Sequence, residues 1–97
     1  MITIKDLQFT EQSHGGIGVA FKTRSRLTIS IQAGSGLYSH PKNSDFNRQE
    51  DYTHFEVAIF NIKGDYVTND WLNCEGDQVY GYASRALINA IIYQLER

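Results

Sequence analysis

Between residues 26 and 32 the chain alternates Leu27, Ile29 and Ile31 with Thr28, Ser30 and Gln32, a period of two that suits a strand with one apolar face. A second alternation precedes it, with Ile17, Val19 and Phe21 set against Gly18, Ala20 and Lys22. Only Thr23-Arg24-Ser25 lies between them, so segments 17–22 and 26–32 are expected to pair as an antiparallel hairpin. An isolated hairpin is marginal in water and needs further strands or a packed helix. The rest of the chain must supply that cover.

Near the carboxyl end Tyr80, Ser84, Leu87, Ile88, Ile91, Ile92 and Leu95 recur at spacings of three and four, an apolar stripe of helical period. Asp77 is the expected N-cap, with Gly81 weakening the first turn and Arg97 favoured at the opposite end. Burying Leu87, Ile88, Ile91 and Leu95 against a sheet contributes roughly 1.5–3 kcal/mol per side chain.

More strand patterning flanks the hairpin. Ile2 to Phe9 is read as a short strand with a bulge near Asp6, because Ile2 and Ile4 alternate and Leu7 breaks the register. From Tyr52, residues Phe55, Val57 and Ile59 alternate with His54, Glu56, Ala58 and Phe60. Asn61 to Asp65 reads as a hairpin loop with Gly64 at positive φ, and Tyr66 to Thr68 as the returning strand. Strands come first and the helix last. The expected fold is α+β, an antiparallel sheet of four to five strands with a long C-terminal helix packed on one face. At 97 residues the chain has room for one core, hence a single domain over 1–97.

The stretch from Ala33 to Asp51 breaks the pattern. It holds Leu37, Tyr38 and Phe46 as large apolar groups among Ser, Asn, Asp, Gly and Pro, with one helical turn expected around Ser44 to Arg48. A loop of this length is commonly functional or mobile.

Catalytic and metal chemistry find little to stand on. Cys74 is the single cysteine, which excludes an intramolecular disulfide and suits a reduced compartment; acidic Asp70, Glu75 and Asp77 nearby would raise a thiol pKa rather than activate it. His14, His40 and His54 share no ligand spacing, so no metal is expected. His54 and Glu56 would share a strand face by default, which is weaker than an acid–base pair. The glycines at 15, 16, 18, 34 and 36 lack the spacing and the lysine of phosphate loops and read as turn and bulge positions. No enzyme and no cofactor is expected. The amino terminus has no signal-peptide pattern, and the longest near-apolar run, Ala86 to Tyr93, is too short to span a bilayer.

Charge is the remaining signal. The net charge is −2, but residues 43–80 carry eight acidic and two basic side chains, against two acidic and five basic in residues 1–42. Lys22, Arg24 and Arg26 form a small basic run, too few to carry nucleic-acid affinity alone. The acidic set Asp45, Glu50, Asp51, Glu56, Asp65, Asp70, Glu75 and Asp77 is either a solvated face or a surface offering negative charge to a basic nucleic-acid channel. Aromatics among it, Tyr38, Tyr52, Tyr66 and Trp71, suit contact anchors. The candidate partner-binding residues are therefore Asp45, Glu50, Asp51, Glu56, Asp65, Asp70 and Glu75, with Tyr52, Tyr66 and Trp71.

The opening Ile4-Lys5-Asp6-Leu7-Gln8-Phe9-Thr10, the Gly-rich hairpin, the block Tyr52-Thr53-His54-Phe55-Glu56-Val57-Ala58-Ile59 followed by Gly64, and the terminal helix together resemble small phage and prophage accessory proteins. Within these the chain is similar to anti-CRISPR proteins that block a type I surveillance complex. The resemblance covers most of the chain in layout and only short patches in sequence. It implies a non-enzymatic inhibitor in the host bacterial cytoplasm that binds a Cas ribonucleoprotein, by occlusion or DNA mimicry, without contacting nucleic acid or membrane itself. No functional residue carries over by motif. The alternatives are a module sequestering a small molecule such as a nucleotide under the 33–51 loop, and a self-assembling phage accessory protein.

Overall fold

The computed structural model describes residues 1–74 and 78–97. It is an α+β fold: one five-stranded antiparallel sheet and one C-terminal helix. The strands are β1 (Thr10–Glu11), β2 (Ile17–Lys22), β3 (Thr28–Ala33), β4 (His54–Phe60) and β5 (Tyr80–Ser84), and they lie side by side in chain order. Helix α1 (Arg85–Leu95) follows β5 without a linking loop. The hairpin read from the two alternations pairs Ile17 with Ala33, Val19 with Ile31 and Phe21 with Ile29, which puts these apolar side chains on one face. Phe55, Val57 and Ile59 of β4 continue that face, with Ile29 opposite Ile59 and Ile31 opposite Val57.

Helix α1 belongs to the same core, burying Ile88, Ile91, Ile92 and Leu95 in one cluster with Ile29, Ile31, Phe55, Val57 and Ile59. The C-terminal end of the helix is tied to the first hairpin: Ser25 N–H donates to Leu95 O at 3.0 Å, and Arg24 N–H to Glu96 Oε2 at 2.8 Å.

Four expected elements take another form. Residues 2–9 hold a 3₁₀ turn at Ile4–Asp6 rather than a strand. Ile4 and Leu7, three apart, are both buried by that turn, and the Asp6 carboxylate accepts from Thr3 N–H at 2.9 Å. Residues 66–68 form a single bridge, Tyr66 with Phe60, and the chain turns at Thr68–Asp70. Here a side chain supplements the backbone: Val67 N–H donates to Ile59 O at 2.7 Å, while buried Thr68 Oγ1 accepts from Ile59 N–H at 2.9 Å and donates to Gln78 O at 2.7 Å.

The helix starts later than its spacing predicts. Tyr80 and Ser84 lie on β5, and the helix begins at Arg85 with Ser84 as N-cap, its Oγ accepting from Leu87 N–H at 3.1 Å. The edge of β4 beside Phe55 and Val57 offers Tyr80–Ser84 a partner that a free helical turn lacks. The expected cap, Asp77, lies outside the described residues. Likewise the turn expected near Ser44–Arg48 falls at Gln49–Asp51.

The long 33–51 loop is fastened to the body of the protein. Ser39 is buried and its Oγ accepts from Gly34 N–H at 3.0 Å. His40 bridges His54, and Asp45 Oδ1 accepts from Ser35 N–H at 2.6 Å. Among the described residues no helix is long and apolar enough to cross a membrane.

Candidate functional site

Register dictates what the other face of the sheet displays. Opposite the core-facing residues, the rows across β2, β3 and β4 read Lys22–Thr28–Phe60, Ala20–Ser30–Ala58 and Gly18–Gln32–Glu56. Alternation requires these side chains to point away from the core. The middle row is small, while the flanking rows end in a ring or a long polar chain. The result is a trough across the strands, floored by Gly18, Ala20, Ser30 and Ala58.

Three adjoining depressions make up this trough. The first, about 350 Å³, runs from Gln8, Thr10 and Gln12 over Gly18 and Ala20 to Ser30 and Gln32. The second, about 90 Å³, continues from Ser30 and Gln32 past Glu56 and Ala58 to Phe60, Tyr66 and Val79. The third, about 290 Å³, lies between Tyr38, Glu56, Gln78, Val79 and Gly81.

Aromatic groups stand at its borders. Phe60 and Tyr66 pack with ring centroids 4.6 Å apart, and Tyr66 is 48% exposed. Tyr38 and Tyr82 pair at 5.9 Å, with Lys42 Nζ 6.0 Å from the Tyr82 ring. Between these pairs Glu56 is half-buried, its Oε2 accepting from Tyr38 N–H at 3.0 Å. That bond and the Tyr82 N–H to Tyr38 O bond, 2.8 Å, hold the 34–40 loop against the sheet. Close approach also explains Gly81: a Cβ there would sit 2.7 Å from Tyr38 Cβ.

Of the residues singled out from the sequence, Glu56 and Tyr66 line the trough. The other carboxylates are divided between the two ends of the sheet. Asp45 sits against Gly15 and Ser35 beside the end of β3, with Glu50 and Asp51 in the turn that leads into β4. Asp65 belongs to the turn after Phe60, where Asn61 Nδ2 donates to its Oδ2 at 3.4 Å, and Asp70 to the turn that follows. Thr28 pairs with Phe60 at one end of β3 and Gly34 closes the other, so six residues, about 20 Å of strand, separate the two groups. Glu50 is also within 3.7 Å of Arg48 Nε. Glu75 lies outside the described residues.

Tyr52 is corrected as a contact residue. It is fully buried, its hydroxyl accepting from Phe46 N–H at 2.7 Å and donating to Ser44 O at 3.0 Å. Burial pushes its phenol pKa above the ordinary 10.0, with the nearby Asp45 and Asp51 charges adding to the rise and the Phe46 hydrogen bond opposing it. Its role is to fold the 44–46 segment onto the core. Trp71 remains at the surface, 38% exposed, at the close of the Thr68–Asp70 turn.

The residues weighed for chemistry have local partners. His54 Nδ1 shares a hydrogen bond with Thr53 Oγ1 at 2.9 Å while Glu56 is held by Tyr38, so the two point to separate neighbours. His40 and His54, far apart in sequence, meet edge to face at 5.9 Å. Cys74 is buried with Sγ 2.9 Å from Asn69 Oδ1.

Reading the sequence for charge overlooked the trough floor. Its signal was present in the strand positions opposite the core, where Gly18, Ala20, Ser30 and Ala58 are all small. No family model, no curated protein and no solved structure matches this chain.

Proposed function

We propose that this protein is a binding protein that covers a nucleic-acid-binding site on a host complex, and that the trough on the open sheet face is its contact surface. The observation that carries the proposal is the sheet face turned away from the helix, small-floored at its centre and bordered by the Phe60–Tyr66 and Tyr38–Tyr82 pairs. Aromatic rings beside a shallow floor are the kind of anchor that dominates protein interfaces. The target follows from the resemblance to anti-CRISPR proteins: a type I Cas surveillance ribonucleoprotein. Carboxylates about 20 Å apart at opposite ends of a sheet do not make a phosphate-like row, so occlusion fits this surface better than mimicry. The 33–51 loop, held to the sheet by Tyr38 N–H to Glu56, Tyr82 N–H to Tyr38 O and Phe46 N–H to the Tyr52 hydroxyl, argues against a lid closing over a nucleotide.

The test is a DNA-binding assay of a purified type I surveillance complex with increasing amounts of this protein. Stoichiometric loss of DNA binding is expected, with the double variant Phe60→Ala, Tyr66→Ala weakening inhibition at least tenfold while remaining folded. Full inhibition by that variant would remove the trough from the proposal. A complex that neither retains the wild-type protein on a sizing column nor loses DNA binding would remove the target.

A further inference from the structure

Strand β2 has six residues, yet β1 covers only two of them, Ile17 and Gly18. The rest of that edge is open. Which groups it presents follows from the ladder. Thr23 N–H donates to Leu27 O, and Thr23–Leu27 continues the register of Phe21–Ile29 and Val19–Ile31, so the odd-numbered residues of β2 spend their backbone groups on β3. Gln12 N–H donates to Gly16 O, in register with the Thr10–Gly18 pair, so the even-numbered residues face the β1 side. Beyond Gly18 these are Ala20 and Lys22, both exposed. Among the described residues no backbone hydrogen bond reaches either from that side.

Charge decides what kind of strand fits there. Lys22 stands on the open edge, Arg24 and Arg26 follow in the adjoining turn, and Arg24 shares a surface cleft with Arg97. Glu96 is the carboxylate among them, and it already accepts from Arg24 N–H. Two copies of this edge could meet with Phe21 against Phe21 of the second copy, since Ala20 and Lys22 would then pair across the axis. That arrangement would also bring both sets of Lys22, Arg24 and Arg26 together, and like charges facing each other across strands are destabilising. An edge lysine is a known guard against such self-pairing. An acidic strand meets the opposite situation.

We infer that the β2 edge at Ala20 and Lys22 docks an extended, acidic segment of a partner protein, which joins the sheet as an added strand in line with β1. The backbone N–H and C=O groups of Ala20 and Lys22 supply the hydrogen bonds, and Lys22 with the Arg24–Arg26 turn selects for carboxylates. This surface is the strand edge, which adjoins the trough at Ala20, and its docking does not depend on the target proposed above.

The test uses ¹⁵N-labelled full-length protein and two acetylated, amidated pentapeptides at millimolar concentration, one alternating valine with glutamate and the other valine with lysine. The glutamate peptide should slow amide exchange at Ala20 and Lys22 at least tenfold, and the lysine peptide several-fold less. Lys22→Glu should invert that preference. Ala20→Pro removes a donor that the β3 ladder does not use and should abolish the response; circular dichroism checks that its fold is kept. Three results would each overturn the inference: no slowing by either peptide, equal slowing by both, or slowing confined to β5. Slowing that rises with protein concentration and resists the glutamate peptide would also overturn it, by naming a second copy as the occupant.

Discussion

The guanidinium of Arg85, at the first residue of α1, donates to Gln49 Oε1 at 3.0 Å, and this pair locks the helix start to the segment that enters β4. The same guanidinium donates to Tyr52 O at 3.1 Å and to Gln49 O, and lies 5.2 Å from the Phe55 ring centroid. Gln49 in turn donates to Ile4 O at 3.0 Å and Leu7 O at 3.3 Å. One cation and one amide thereby join the amino-terminal turn, the 49–52 turn and the helix. A positive charge opposes the helix dipole at this position. The carbonyl acceptors offset that cost.

Arg85→Ala is expected to lower stability by about 2–3 kcal/mol, because hydrogen bonds from a charged donor are lost and buried acceptors are left unpaired. Arg85→Lys should recover under half of this, since an ammonium cannot reach several acceptors in the fork geometry. Urea unfolding of the three proteins measures both.

Gly16→Ala should destabilise by about 1–3 kcal/mol or more, as overpacking against backbone does. A Cβ at Gly16 would stand 2.0 Å from Ala33 O and 2.7 Å from Gly34 Cα, where the chain enters β2 beside the end of β3. Gly36→Ala serves as the comparison, with no atom within 4 Å of its Cβ and only its φ of +81° to resist the change. Thermal unfolding should show the larger drop at Gly16.

Tyr52→Phe should leave Phe46 N–H without its acceptor and cost about 1 kcal/mol at neutral pH. It should also change the alkaline limb of the stability curve. The folded protein holds the phenol proton more tightly than the unfolded chain, whose value is the ordinary 10.0. The stabilisation linked to that difference is complete below pH 10 and is lost as pH rises through the elevated folded pKa. Denaturant midpoints measured from pH 8 to 12 should therefore fall less steeply for the phenylalanine variant. An unchanged slope would count against the phenol as its source.

Thr68→Val keeps the shape of a fully buried side chain and removes its hydroxyl. Ile59 N–H and Gln78 O then lose their partner, at an expected cost of about 1–3 kcal/mol. Faster amide exchange at Ile59 than at Ile31 would identify the site of the damage.

The central hairpin was legible because Ile17 to Phe21 and Leu27 to Ile31 alternate without interruption, and alternation is a local property. The apolar stripe from Leu87 to Leu95 was legible for the same reason. Tyr80 to Ser84 was misread because residues 80 and 84 continue the helical spacing, while the reason for a strand, the vacant side of β4, lies more than twenty positions earlier. Thr68 misled in the same way: its hydroxyl takes the Ile59 N–H that a returning strand would have taken, and no pattern of hydrophobicity records that. For the candidate site, Glu56 and Tyr66 were found by charge and ring chemistry, but the floor between them is made of residues chosen for having little side chain. Tyr52 shows the converse, since an aromatic amid charges can as well be a core residue with a polar tip.

Ser84 ends β5 and caps α1 at once, so the outermost strand and the core helix are one uninterrupted stretch of backbone. Border strands usually open first, peeling off while the interior stays dry. Here no slack exists to let β5 lift away while Ile88 and Ile92 stay seated, and the margin should open only together with the centre.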